Sequence, residues 1–236
     1  MTLSLDQLWR DTQATMKARG ADFVLPAAAF IFLPNVALAL FVAQPESVAE
    51  AEPTYFLWNG LAGFVGLLAT IAIITMALFP SLSVAAAIRR TGSLLVPAIV
   101  VGLLSAVAIG IGFLAFILPG LFVFGRLWLA LPALVSGSSE GFIEPLRDSW
   151  TVTKGSVLRA VFLIVVVVAA AILLSIPVAV LSAVDMMVGF ATVERQTLGL
   201  LGAIGTGLIS SAVGTYYAVL QAEAFRQLTT DRRPPA

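Results

Sequence analysis

The chain has neither cysteine nor histidine. Without cysteine there is no disulfide framework and no thiol redox chemistry. Without histidine the commonest general base and the commonest metal ligand are missing together. Charge is also scarce: 11% of residues are charged, against about 25% in ordinary soluble domains. The thirteen basic and thirteen acidic residues cancel, so no global field draws in nucleic acid. Nor does the sequence hold a glycine-rich phosphate cradle, a metal-ligand cluster or a nucleophile–base pair. These absences point away from an enzyme, and no cofactor or metal is expected.

What is present is apolar. Hydrophobic residues make up 60% of the 236, and mean hydropathy is +1.03, so lipid solvates most of the chain. Each membrane crossing takes about 20 apolar residues. The length therefore fits one all-α domain, a polytopic bundle of six transmembrane helices over residues 1–236. The spans are expected near 23–43, 55–79, 94–118, 121–135, 157–184 and 198–220. Pro34 and Pro177 interrupt the first and fifth, because proline deletes a backbone donor and crowds the preceding turn. Pro119-Gly120 is read as a tight turn between the third and fourth. The fourth is short enough to be a re-entrant half-helix instead.

Two amphipathic segments accompany the spans. Residues 4–18 place Leu5, Leu8, Trp9, Thr12 and Met16 at helical spacing, which reads as an interfacial helix with Trp9 at headgroup level or as a partly ordered tail. Pro145 suits a first helical turn and Gly155 the residue just past an end, so a second interfacial helix is expected over 145–154, with Glu144 at the cap. Its apolar side would be Ile143, Leu146, Trp150 and Val157. Its polar side would be Glu144, Arg147, Asp148, Thr151 and Lys154.

With six spans drawn, eleven of the thirteen basic residues fall on one face; Arg195 falls on the other and Arg126 within a span. Positive residues stay cytoplasmic, so both termini are expected in the cytoplasm of a bacterial inner membrane. Counting from the Pro119-Gly120 turn puts Arg126 about 9 Å into the hydrocarbon, in its outer half. An intramembrane guanidinium finds a partner, lines a cavity or snorkels. Candidate partners are helix-end carbonyls, the Ser, Thr and Tyr groups of the sixth span, Asp185, or a lipid phosphate. No carboxylate is placed within any span. Arg147, Lys154 and Arg159 are candidate contacts for anionic lipid, or ordinary topology signals. Small residues recur on the sixth span as two stripes, Gly199, Ala203, Gly207 and Ser211 beside Gly202, Thr206, Ser210 and Gly214. Shorter stripes are Ala62, Gly66 and Thr70; Gly102, Ala106 and Gly110; and Ala171, Ser175 and Ala179. Such stripes let backbones approach within one bundle, at a homo-oligomer face, or around a lipid tail.

The run PGLFVFGRLWLALPALV followed by PLRDSWTVTKGSVLRAV resembles YciC-like bacterial inner-membrane proteins and the membrane domain attached to some glycerophosphodiester phosphodiesterases. The shared layout is a Pro-Gly turn, an apolar span closing in proline, and an amphipathic helix carrying Arg147-x-Ser149-x-x-x-Thr153. Arg10, Asp11 and Thr12 are similar to the N-terminal segment of the YciC-like group, while Arg126 fits the phosphodiesterase-attached domain better. The resemblance implies a six-span, envelope-associated protein. It carries over no catalytic residues, since a chain without histidine lacks the phosphodiesterase catalytic pair.

Three functions are thus expected in descending order. The first is a non-enzymatic inner-membrane protein working through membrane lipids, an envelope protein partner or a homo-oligomer. The second is a small transporter or lipid-handling protein with an anionic-headgroup site at Arg126. The third is an interfacial enzyme using Glu140, Glu144 and Asp148, carboxylates better explained as a solvated helix face.

Overall fold

A computed structural model describes residues 3–43, 45, 51–137, 141–187 and 199–230. Among them every regular element is helical: α1 (Leu5–Ala27), a π-helical turn (Ala28–Phe32), α2 (Leu33–Phe41), α3 (Pro53–Leu78), α4 (Val84–Ala115), α5 (Ile117–Leu127), α6 (Ala130–Ser136), α7 (Glu144–Val152), α8 (Val157–Met187) and α9 (Leu200–Thr230). Six helical runs are long and apolar enough to cross a membrane, as expected: Leu5–Phe41, Pro53–Leu78, Val84–Ala115, Ile117–Ser136, Val157–Val184 and Leu200–Thr230. The protein is a multi-pass, all-helical membrane protein.

Several boundaries differ from the sequence reading, each for a physical reason. The N-terminal helix does not end near residue 18 but continues without a break into the first span. Pro34 leaves the carbonyl of Phe30 without its usual donor. The helix absorbs this as a π turn, in which the Leu33 N–H reaches back to the Ala28 carbonyl. One residue on, Asn35 Nδ2 donates to the Ile31 carbonyl at 2.8 Å. The third helix starts at Val84, where Ser83 Oγ accepts the Ala86 N–H and caps it, so Arg89 and Arg90 lie inside the helix.

The turn before the fourth span is a single extended residue, Phe116, rather than Pro119-Gly120. Both of those residues belong to the first turn of α5, where proline is tolerated. Gly112 and Gly120 face each other across the α4–α5 hairpin, and a Cβ on Gly112 would lie 3.0 Å from the Gly120 Cα. The fourth span is itself broken at Trp128–Leu129, four residues before Pro132. That proline has no N–H for the Trp128 carbonyl and crowds it, so α5 ends and α6 begins there.

The chain divides into two compact units, Met1–Asp22 with Ile71–Val167 and Tyr216–Ala236, and Phe23–Thr70 with Val168–Thr215. The first has a close-packed core in which Leu3, Leu8, Trp128, Leu129, Ala224 and Phe225 are buried together. The N-terminal segment is therefore part of a core, with Leu8 and Thr12 fully buried, while Trp9 stays exposed against the Tyr216 ring. In the second unit the small residues of α9 meet neighbouring helices. Gly202 and Gly205 approach α8 at Ser182 and Val178, and Gly207 and Gly214 approach the first run at Phe32, Val36 and Ile31. Gly66 of α3 approaches the Phe30 carbonyl, the one that Pro34 frees.

Candidate functional site

The segment from α5 to α7 contains a reciprocal closure of helix ends. A helix leaves its last carbonyls without partners, and in hydrocarbon no water replaces them. At the end of α5 the Ser149 hydroxyl, fully buried on α7, donates to the Arg126 carbonyl at 2.7 Å and accepts the Leu129 N–H at 3.1 Å. One hydroxyl thus bridges the break between α5 and α6. The third group left over there, the Trp128 carbonyl freed by Pro132, receives Gln221 Nε2 of α9 at 2.8 Å.

In return α5 closes α7. Arg126 Nη1 donates to the Trp150 carbonyl, in the last turn of α7, at 2.9 Å. The guanidinium carbon lies 5.2 Å from the centroids of both the Phe122 and Trp150 rings, which themselves meet edge to face. Cation–π attraction of this kind contributes roughly 0.5–2 kcal/mol, more where water is excluded. Of the partners expected for Arg126, a helix-end carbonyl is the one it takes. The turn from which its position is counted lies earlier: Arg126 sits nine residues past the start of α5, beside α7, rather than six past a Pro119-Gly120 turn.

Helix α7 runs Glu144–Val152 with Ile143 at its N-cap, one residue earlier than expected for the cap. Its packed side is also different: Pro145, Ser149 and Val152 are buried, followed by Thr153 and Ser156. Of the four residues of the expected apolar side, Ile143 and Trp150 point outward, 73% and 40% exposed, whereas Leu146 is half-buried and Val157 buried. Small hydroxyl residues pack inward because they close the α5 end, which leaves the bulky residues for the surface. Arg147 and Lys154 are exposed beside them, and Gly155 adopts a positive φ of 89° that favours glycine. Arg159 does not stand free; its Nη1 donates to the Leu3 carbonyl.

A second polar cluster escaped the sequence reading. Helix α9 continues ten residues beyond the expected 220, and Glu223 lies on it, 4% exposed. The Thr15 hydroxyl donates to this carboxylate at 2.6 Å, and Arg226 Nη2 pairs with it. Arg226 Nη2 also reaches the Ala77 carbonyl at 3.3 Å, while Arg19 donates Nη1 to Met76 at 2.8 Å and Nη2 to Leu82 at 2.9 Å. Arg19 Nε pairs with Asp22 at 2.9 Å. Two guanidiniums therefore close the C-terminus of α3, where the helix dipole favours cations. Arg90 repeats the device, with Nη2 on the Val135 carbonyl at the end of α6 at 3.0 Å and its guanidinium over Phe79.

The remaining expected positions are scattered. Asp185 belongs to α8, but its side chain lies outside what the structure describes, as do Glu46, Glu50, Glu140, Glu194, Arg195, Arg232 and Arg233. On α9, Thr206 and Ser211 bond back to the carbonyls of Gly202 and Gly207. Gly199 and Ala203 are buried, and Ser210 is half-buried. Among the described residues no three acidic side chains converge as a metal site would require. No family model, curated protein or solved structure matches the chain.

Proposed function

We propose that this chain is a non-enzymatic integral protein of the bacterial cytoplasmic membrane, with both termini cytoplasmic, acting in the envelope through anionic-lipid contacts along α7. The observation that carries the reading is the surface of that helix. Arg147 and Lys154 are exposed next to the exposed Phe142, Ile143, Trp150 and Leu158, and Arg126 pins the helix to α5. An amphipathic helix with cations beside bulky apolar groups lies in a headgroup layer, and each cation near an anionic surface contributes about 1 kcal/mol. Arg126 serves here as a positioning residue, because its guanidinium is engaged by Trp150 and two rings. The resemblance of the Pro119–Val161 stretch to YciC-like proteins is a second support for an envelope role.

The test is mass spectrometry of lipids co-purified in native-lipid particles, comparing the wild type with Arg147→Gln/Lys154→Gln. Loss of anionic-lipid enrichment in the double variant is the expected result. An unchanged lipid profile overturns the assignment to α7.

One observation favours lipid handling as a second reading. Within the second unit an apolar cleft of about 400 Å³ is lined by residues including Pro34, Leu38, Phe41, Trp58, Leu61 and Val65. Its chemistry suits an acyl chain and not a polar solute. Quenching of Trp58 by a brominated acyl chain, saturable and lost on Leu61→Trp, would select this reading.

A further inference from the structure

The α4–α5 hairpin has an apolar tip. Leu114, Phe116, Ile117 and Leu118 are 70–88% exposed, and no charged residue occurs from Thr91 to Gly125. A turn that emerged into water would ordinarily carry polar residues and leave its backbone to the solvent. Phe116 instead uses both of its own backbone groups: its N–H donates to Gly112 at 3.1 Å and its carbonyl accepts from Gly120 at 3.1 Å. Pro119 adds no N–H to satisfy. The one irregular residue is thus closed internally, as hydrocarbon demands, while the first N–H groups of α5 have no side-chain cap.

The contact between Arg126 and Trp150 sets the depth. From Ile117 to Arg126 is nine residues, about 14 Å along a helix, or about half of a 30 Å hydrocarbon layer. If the turn reached the far aqueous face, Arg126 would sit near mid-bilayer. It would take with it α7 and the exposed Glu144, Arg147 and Lys154, charges the hydrocarbon excludes. With α7 at headgroup level the turn falls near the bilayer centre. The two arms fit this placement. The second half of α4 shows Leu103, Val107, Ile111 and Leu114 outward alongside α5, whereas its first half accompanies α6, where Arg90 closes the α6 end. Gly125 packs against Val157 and Val161, so α8 starts at the same level as the end of α5.

We propose that α4 and α5 enter one leaflet together from the α7 side and turn inside the hydrocarbon, where acyl chains and not water cover Leu114–Leu118. The hairpin is then a wedge in a single leaflet, and it returns to the face it left, so the sidedness of the termini is unaffected.

The absence of cysteine makes the test direct. Phe116→Cys and, as a second position, Leu118→Cys are placed one at a time in the full chain and reconstituted into phospholipid vesicles, with Lys154→Cys and Thr54→Cys as references. Both tip side chains are exposed, so neither change opens a cavity. A membrane-impermeant maleimide, given access to both faces by permeabilisation, is expected to label the tip positions more than about tenfold slower than Lys154→Cys, with full labelling after denaturation. Bimane attached at either tip position should be quenched more by a nitroxide near the acyl terminus than by one at the headgroup. Labelling of the tip as fast as the references, or strongest quenching from the headgroup level, overturns the proposal.

Discussion

Ser149 and Arg126 hold each other's helices. The Ser149 hydroxyl donates to the Arg126 carbonyl at 2.7 Å, and the Arg126 guanidinium donates to the carbonyl next to Ser149, that of Trp150, at 2.9 Å. Because the same hydroxyl also accepts the Leu129 N–H, its removal strands that donor and leaves the Arg126 carbonyl with only the longer contact from Thr153 Oγ1 at 3.3 Å. Each buried group left unpaired costs roughly 1–3 kcal/mol. Ser149→Ala is therefore expected to lower the thermal unfolding midpoint in detergent clearly. Thr151→Ala is the comparison: its hydroxyl also bonds backbone carbonyls of its own helix, but it is exposed and bridges no break, so it should shift the midpoint little.

Arg126 should show a graded series. Arg126→Leu keeps a stem against Phe122 and Trp150 but leaves the Trp150 carbonyl only the 3.4 Å contact from Thr153 Oγ1, at a cost of up to about 1–3 kcal/mol. Arg126→Lys restores a donor without the planar fork that lies over two rings, so it should recover only part of the loss. Limited proteolysis between α6 and α7 measures this as release of α7. Equal cleavage of wild type and Arg126→Leu would show that the contact does not hold α7 in place.

These contacts mark where sequence reasoning reaches and where it stops. The six apolar runs were legible because lipid demands length and composition, and both are local properties. The need of Arg126 for a partner was legible too, since an intramembrane cation is costly. Which helix-end carbonyl it takes was not, because Trp150 contributes a backbone group, and any residue has one. The turn before Arg126 was misplaced because Pro119-Gly120 looks like a turn, whereas proline near a helix start is equally at home in the first turn of α5. Glu223 was passed over because the sixth span was ended at Leu220, although the apolar residues Ala222, Ala224, Phe225 and Leu228 continue the helix beyond it. A carboxylate between two alanines, three residues before an arginine, was the available signal.

Glu223 and Arg226 form an unequal pair: the carboxylate is nearly enclosed and the guanidinium is partly open to its surroundings. Removing one partner of a fully buried pair costs about 3–5 kcal/mol; the exposure of Arg226 reduces this to about half. Glu223→Leu also strands the Thr15 hydroxyl. Since Arg226 additionally bonds the α3 end, the double variant Glu223→Leu/Arg226→Leu should regain part of the stability lost in Glu223→Leu, but not all of it. A double-mutant cycle by thermal unfolding isolates the pair; strictly additive losses would show that the two side chains are uncoupled.

The glycines of α9 and α4 look alike in sequence and should respond oppositely. A Cβ on Gly207 would lie 2.6 Å from Val36 Cγ2 and 2.9 Å from the Phe32 ring, so even alanine forces these side chains, or the helix that carries them, to shift. Gly110, in the stripe with Gly102 and Ala106, has nothing within 4 Å. Alanine there adds no clash and removes a glycine that disfavours helix by about 0.8–1.0 kcal/mol. Gly207→Ala is expected to destabilise by about 1–3 kcal/mol, the usual cost of overpacking, while Gly110→Ala leaves stability unchanged or raises it. Thermal unfolding in the same detergent compares them. If Gly207→Ala were tolerated while Gly110→Ala were damaging, the packing of α9 described above would be wrong, and the α4 stripe would be marked as a contact made outside this chain.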